Sequence, residues 1–372
     1  MIKLKEVKTK KDLKSFIHLP YIIHKNHQEW QPPLISDEWK VFDKKKNHSF
    51  EHCDTIMLLV ERDGQVVGRM MGIINHTYNT GHQEKNARFC FAETYDDAEV
   101  YDTLLHALEK WGKEQGMEKL IGPLGFSDKD PQGYLIEGFD DPVTVMVTNC
   151  SFPYMVKHAE RNGYTKKLDL VEYRMDIPEV IPEFYGKVAE RILDRGFKLL
   201  EFKKTKEVRP YIKPVFDLIN ETYTDIYGFA PLQDIEAKEF SERFLPFLKV
   251  EYIKAVMDEE GKMVAFVIAM PDIGEGFKKA KGKLFPFGFI HILSSFKKAT
   301  QLNLLLGCVK DTRRNSGIDA LLAVSLFEAA QKGKLKVLDS HLIMEENTKM
   351  RALMDRLGGV VYKRYRIFEK GI

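Results

Sequence analysis

Apolar positions in this chain fall into short β-branched runs broken by acidic-glycine turns, and the arrangement is written twice. Residues 55–60 (Thr-Ile-Met-Leu-Leu-Val) and 66–74 flank Glu-Arg-Asp-Gly64-Gln. Residues 252–257 (Tyr-Ile-Lys-Ala-Val-Met) and 263–270 flank Asp-Glu-Glu-Gly261-Lys. Both predict β-hairpins. A strand at 88–92, a long helical segment from Asp97 to Gln115 and a strand from Lys119 follow the first. A strand at 302–309, a helical segment from Gly317 to Lys332 and a strand at 336–343 follow the second. Each half then ends in a short helix, a glycine stop (Gly163, Gly358) and a final strand, at 170–175 and 362–368. The hairpin glycines lie 197 residues apart and the stop glycines 195. Four elements in one order at one offset imply two copies of a fold. Asp176-Ile-Pro-Glu-Val-Ile-Pro-Glu is the natural linker between them. The expected class is α/β (α+β), with domains at 1–178 and 179–372, each a mixed, mostly antiparallel sheet flanked by helices. Residues 20–52 read as a long loop with short helices, and residues 271–300 have no counterpart in the first copy.

Length and composition agree with two globular domains: 372 residues, 44% hydrophobic and 30% charged. A net charge of +2, without a basic stripe, argues against nucleic acid as a partner, and so against transfer of aminoacyl groups from tRNA. Cys53, Cys90, Cys150 and Cys308 are far apart in apolar surroundings and read as buried free thiols. The first residues lack the apolar stretch of a signal peptide, and no run reaches the ~20 apolar residues of a membrane span. The expectation is a cytoplasmic protein. His48 and His52 are four apart, but no second pair with ligand spacing follows, so no metal site is expected.

The sharpest motif is Val309-Lys-Asp-Thr-Arg313-Arg314-Asn-Ser-Gly317-Ile-Asp319-Ala-Leu-Leu322, which joins an apolar strand to a helix. Unpaired amides and the positive pole of a helix suit a pyrophosphate there. Gly317 would let backbone approach the phosphates, and Arg313 and Arg314 add pairing charge. The motif resembles the Arg-x-x-Gly-x-Gly/Ala segment of the GNAT superfamily of acyl-CoA-dependent N-acyltransferases, with Asp319 where Gly or Ala is usual. Asn347 to Gly358 is similar to the family's later Asn-x-x-Ala-x-x-Leu-Tyr-x-x-x-Gly segment, with Met354 where many members carry a tyrosine that protonates the leaving thiolate. The resemblance implies a tandem GNAT arrangement with acetyl-CoA or a longer acyl-CoA as donor. Its site would be built from Cys308, Val309, Arg313, Arg314, Asn315, Ser316, Gly317, Ile318 and Asn347. The first copy carries acidic Tyr95-Asp-Asp-Ala at the cradle position and reads as degenerate.

Acyl transfer needs a polarised carbonyl, a neutral amine and a proton for the thiolate. A bulge permitted by Gly307 would aim a backbone N–H at the carbonyl. Glu345, Glu346, Asp339 and His341 are candidate bases nearest the wedge between the strands. Tyr223, Asp225 and Tyr227 lie in the segment that often lines the family's acceptor site. The residues assigned to catalysis are Glu345, Asn347 and Tyr227, and Asn347 is equally suited to capping a helix. The Gly/Pro/aromatic stretch from Gly122 to Pro142 is expected to face the second copy and shape the acceptor pocket. Residues 277–298 join lysines to a large apolar surface, which suits a lid over a long acyl chain, a contact with anionic membrane, or a buried insertion with a lysine rim. The resulting expectation is acyl transfer to a primary amine, either a small molecule or a lipid-like amine. The alternative is a non-catalytic module binding CoA, lipid or a protein, which Asp319 and Met354 favour.

Overall fold

A computed structural model describes residues 1–145 and 148–372. The first half runs β1 (Ile2–Glu6), α1 (Lys10–Ile23), α2 (Ile35–Val41), β2 (Cys53–Arg62), β3 (Gln65–Asn75), α3 (His76–His82), β4 (Asn86–Thr94), α4 (Ala98–Glu114), β5 (Lys119–Gly122), β6 (Tyr134–Glu137), α5 (Pro153–Arg161) and β7 (Thr165–Asp176). The second runs α6 (Glu183–Asp194), β8 (Lys198–Glu201), α7 (Thr205–Val208), α8 (Ile212–Thr222), α9 (Asp234–Phe244), β9 (Ile253–Met257), β10 (Met263–Pro271), α10 (Gly274–Ala280), α11 (Gly288–Lys298), β11 (Gln301–Val309), α12 (Ile318–Lys332), β12 (Val337–Ser340), β13 (Ile343–Met344), α13 (Thr348–Arg356) and β14 (Val360–Gly371). The expected hairpins are β2–β3 and β9–β10. The two long helices start after caps at Asp97 and Gly317. The single strand expected at 336–343 is broken at His341-Leu342 into β12 and β13. The stretch expected to be mainly loop, residues 20–52, contains the end of α1 and all of α2.

The strands form one sheet in the order β1-β2-β3-β4-β5-β14-β7-β12-β11-β10-β9-β8, with β6 beside β14 and β13 beside β7. Along the chain each repeat ends in its own closing strand, but in space the two strands are exchanged. β14 lies antiparallel to β5 (Phe368 opposite Gly122) and to β6 (Arg364 opposite Glu137). β7 lies antiparallel to β12 (Asp176 opposite Val337) and to β13 (Val171 opposite Ile343). The two then pair with each other from Val360–Arg174 to Glu369–Thr165. The pairing of β7 with β14 leaves no open strand edge at the centre of the molecule, where two separate sheets would each present one.

The exchanged strands also complete the cores. Phe368 packs with Leu120, Phe89 and Tyr134 of the first half. Met175 packs with Leu326, Phe327 and Leu338 of the second. In the second half α6 and α12 cover one sheet face through Ile192, Ile318 and Leu321, over Val256 and Ala265. The other face is covered by α8 through Val215, Phe216 and Ile219, over Ala255 and Phe266. Cys53, Cys90 and Cys150 are buried free thiols as expected, while Cys308 is only half-buried. No helix among the described residues is long and apolar enough to cross a membrane.

The seam between the halves is polar. Glu172, Asp339 and Lys363 are fully buried. The Tyr362 hydroxyl donates to Asp339 Oδ2 at 2.6 Å, and Lys363 Nζ donates to the Pro142 carbonyl at 2.8 Å. Burial pushes the Glu172 carboxyl up to about 8 and that of Asp339 up to about 6. Both native values lie above the unfolded ones, so the seam's contribution is complete below about pH 4 and is lost as pH rises from there through the native values. Thermal melts should therefore show Tm falling by several degrees between about pH 5 and 8 and levelling off above. Glu172→Gln should flatten that slope, and an unchanged slope in the variant would remove Glu172 as its cause.

Candidate functional site

The site begins where two parallel strands part. β11 and β12 are paired from Gln301–Val337 to Leu304–Ser340, and the His341 N–H makes the last bond, to the Leu304 carbonyl at 3.0 Å. β11 then continues to Val309 paired only with β10, while the strand after β12 bends away to pair with β7 as β13. The result is a V-shaped opening in the sheet. β11 also carries a bulge, since its register against β10 passes from Leu306 opposite Ile268 to Leu304 opposite Ala269. The extra residue is Leu305, not Gly307 as its freedom suggested; Gly307 sits in regular pairing opposite Val267. The backbone of Gly307 instead meets Tyr223, whose hydroxyl donates to the Gly307 carbonyl at 3.1 Å and accepts from its N–H at 3.3 Å.

Beyond β11 the chain forms the cradle. The Ser316 hydroxyl donates to the Arg313 carbonyl at 2.6 Å, and Asn315 and Gly317 adopt φ of 61° and 97°. The N–H groups of Asn315, Ser316, Gly317, Ile318 and Asp319 have no acceptor among the described residues. Five free donors at the positive end of a 15-residue helix make a surface for an anion. The reason for Gly317 differs from the one expected. A Cβ there would lie 2.6 Å from Val188 of α6, not in the space above the cradle. Glycine is required by the left-handed φ and by close packing on α6, so bulk at this position tests folding before it tests binding. Arg313 is 3.8 Å from both Asp258 and Glu259, and Arg314 pairs with Asp311. Both guanidinium groups remain partly exposed. Ile318 is buried against α6 and β9.

The first half shows what a closed version of this geometry looks like. Asp97 caps its own helix, its carboxylate accepting from the N–H groups of Glu99 and Val100 while also binding Arg62. The strands β4 and β5 also part, but the Leu124 N–H bonds the Phe89 carbonyl, and fully buried Arg88 donates to the carbonyls of Gly125 and Phe126. The Gly/Pro-rich segment after β5 thus fills the first wedge. Its continuation supplies Asp128, Lys129 and Gln132 to the second half's cavity.

That cavity measures about 1320 Å³ and runs from the cradle through the opening between β11 and β12 to both faces of the sheet. On the α12–α13 side it is lined by Leu322, Leu326, Phe327, Met350 and Met354. On the opposite side Phe216, Phe244, Phe247, Phe266, Ile268 and Phe277 line it. Polar groups gather at the cradle and along the α13 end, with a few deeper in. Asp128 and Lys129 form a buried ion pair at 2.8 Å, with Lys129 Nζ 4.5 Å from the Phe229 ring centre. His341 lines the cavity where the strands part, and its Nδ1 is buried with no partner among the described residues. Burial lowers this imidazole to about 4, which keeps it neutral at physiological pH. Among the described residues no cluster of His, Cys, Asp and Glu suits a metal ion.

The residues expected to carry catalysis are dispersed. Glu345 does not line the cavity; its carboxylate is held by Lys166 and Arg364, and the Lys166 hydrogen bond keeps it ionised below the usual range. Asn347 stands at the cavity mouth but caps α13, accepting from the Met350 N–H at 3.1 Å. Tyr227 and Tyr223 both line the cavity, and burial pushes both hydroxyls well up. Asp339 is turned to the polar seam. Cys308 and Val309 line the cavity beside the cradle, and burial pushes the Cys308 thiol up to about 12. Met354, where the GNAT pattern has tyrosine, is buried against Val171, Tyr173 and Ile343. The aromatic residues of α8 and α9 were not legible as site residues, because at helical spacing they look like ordinary core.

Among solved structures, a tandem GNAT protein from the clavulanic acid biosynthesis pathway superposes with a TM-score of 0.57 over 100% of this chain and 98% of its own, at 11% identity. The chain has a tandem GNAT fold. No family model matches the sequence. Two curated relatives align over 98% of it. Protein YghO of Escherichia coli (strain K12) is 28% identical with 94% of its length covered. Bacterial ceramide synthase of Caulobacter vibrioides (strain NA1000 / CB15N) is 26% identical with 96% covered. Within the GNAT fold, the parted strands β11 and β12 and the amides ahead of α12 belong to the second repeat, while the first repeat's equivalent is filled by protein.

Proposed function

We propose that this protein is an acyl-CoA-dependent N-acyltransferase whose acceptor is the primary amine of a long-chain, lipid-like molecule. The observation that carries the reading is one continuous path. An anion cradle with five free amides, reached by the cavity at Arg313, Arg314, Asn315 and Asp319, adjoins parted strands and a mainly apolar cavity larger than the roughly 300–1,000 Å³ of ordinary small-molecule sites. A ceramide is an N-acylated long-chain amino alcohol, so the name of the Caulobacter relative is consistent with such an acceptor. The free amides and Arg314 would hold the pyrophosphate, and the edge of β11 that has parted from β12 would run beside the pantetheine arm. The apolar walls would take the hydrocarbon parts of donor and acceptor.

His341 is the group best placed to move the proton. Attack by the amine nitrogen on the thioester carbon makes that nitrogen strongly acidic, so a weakly basic imidazole suffices to accept its proton. The imidazolium so formed is a strong acid and can return the proton to the departing sulfur. This relay needs no tyrosine at position 354. The non-catalytic reading is favoured by Met354 and would be retained if binding occurred without amide formation.

The test is calorimetric titration with acetyl-CoA and then palmitoyl-CoA, followed by an amide-formation assay with a long-chain amine. Micromolar binding that favours palmitoyl-CoA is expected, with Arg314→Glu weakening it at least ~10-fold through lost and reversed charge. Failure of both donors to bind would reject the reading. Asp319 sits in the first turn of α12 and lines the cavity, where its charge opposes a bound anion. Asp319→Asn should therefore tighten CoA binding by about threefold to tenfold at low salt. Weaker binding in that variant would place the pyrophosphate elsewhere.

A further inference from the structure

The α10–α11 hairpin, which has no counterpart in the first repeat, is apolar on two opposite faces. Its inner face is core: Ile273, Phe277, Ala280 and Ile292 pack with Met270 and Leu34. Of these, Ile273, Phe277 and Met270 are also walls of the cavity. Its outer face has no cover. Phe285 is 79% exposed, Phe287 65% and Leu293 58%, with Phe289 and Ile290 beside them. Five large apolar side chains within nine residues form a contiguous exposed patch of the kind that marks an interaction surface.

Charge gives the partner. From Gly276 to Lys310 there is no Asp or Glu, while Lys279, Lys281, Lys283, Lys297 and Lys298 are exposed. None of these five makes an ion pair among the described residues; Lys278, which is half-buried, pairs with Glu275. In a chain whose net charge is only +2 this is a concentrated cationic rim around an apolar centre. A second copy of the same face would bring lysine against lysine in a two-fold pairing. An anionic bilayer instead satisfies both parts, since headgroups meet the lysines and the aromatic side chains enter the acyl boundary.

We propose that the outer face of α10–α11 seats the protein on an anionic lipid bilayer, with the substrate cavity directly beneath the same hairpin. Amphiphilic substrates then pass between lipid and cavity without crossing water as monomers. This inference rests on the lipid-like substrate reading only for its purpose; the surface itself is tested without turnover.

The experiment is co-sedimentation of the full chain with vesicles of phosphatidylcholine containing about 30% phosphatidylglycerol, and with pure phosphatidylcholine vesicles. Binding to the anionic vesicles is expected, at least ~10-fold stronger than to neutral ones and weakened by ~0.5 M salt. The triple variant Phe285→Ser, Phe287→Ser, Leu293→Ser alters only exposed side chains outside the cavity, and should lose ~10-fold or more of that binding. It should keep its melting temperature and its affinity for acyl-CoA. No binding to anionic vesicles, equal binding by the triple variant, or a concentration-dependent dimer abolished by these three substitutions would each overturn the proposal. Vesicle binding by a protein that binds no acyl-CoA would support the surface and reject the transferase reading.

Discussion

His341→Ala is expected to lower kcat for amide formation by about 10²-fold or more while changing the KM for acyl-CoA less than about twofold. The side chain lies where β11 and β12 part, away from the cradle, so its loss should leave phosphate binding untouched. Its Nδ1 has no protein partner among the described residues, so no internal hydrogen bond is broken by its removal. The pH dependence supplies a second readout. With a value lowered by burial to about 4, His341 stays neutral from pH 5 upward. A rise in rate above that would not report His341; deprotonation of the acceptor amine is expected to supply it, and it should persist in the variant. Stability should respond in the opposite sense to that of the Glu172 seam. A buried histidine whose native value is depressed costs the fold stability as pH falls from about 6.5 toward 4, so His341→Ala should melt with less acid sensitivity than the parent. A kcat within threefold of the parent would exclude His341 as the proton relay.

A fragment ending at residue 178 is expected not to fold into a cooperative domain, although the repeat in the sequence ends there. Its β5 and β6 would lack β14, which pairs with both along one edge and brings Phe368, Tyr365 and Ile367 into the first half's core. Removing three fully buried side chains of this size together with a central strand exceeds the ~5–15 kcal/mol that holds a typical domain. Co-expression with residues 179–372 should restore one soluble complex, because β7 and β14 then find their partners in trans. The measurement is thermal denaturation of the fragment alone and of the co-purified pair. A sharp melt of the lone fragment would mean that β7 can fold back into the slot of β14, and would make the exchange dispensable.

Local chemistry accounts for what the sequence alone determined. The hairpins β2–β3 and β9–β10 were legible because alternation and an acidic-glycine turn are properties of neighbouring residues. The starts of α4 and α12 were legible for the same reason, and so was the contrast between a cradle ending in Arg-x-x-Gly and one filled with aspartate. Duplication made the GNAT fold legible as a tandem. Tertiary structure decided the rest. Either closing strand has the apolar alternation to fill either slot, so only packing selects the exchange of β7 and β14. Gly317 was singled out for an approach by phosphate, whereas its missing Cβ makes room for α6, which comes from more than a hundred residues away in sequence. The bulge sits at Leu305 because register depends on β10 as much as on β11. Glu345 read as a candidate base until Lys166 and Arg364, both on the exchanged strands, were placed against it. His341 gained its neutral, unpartnered state from burial where two strands part, and burial is a property of the assembled fold.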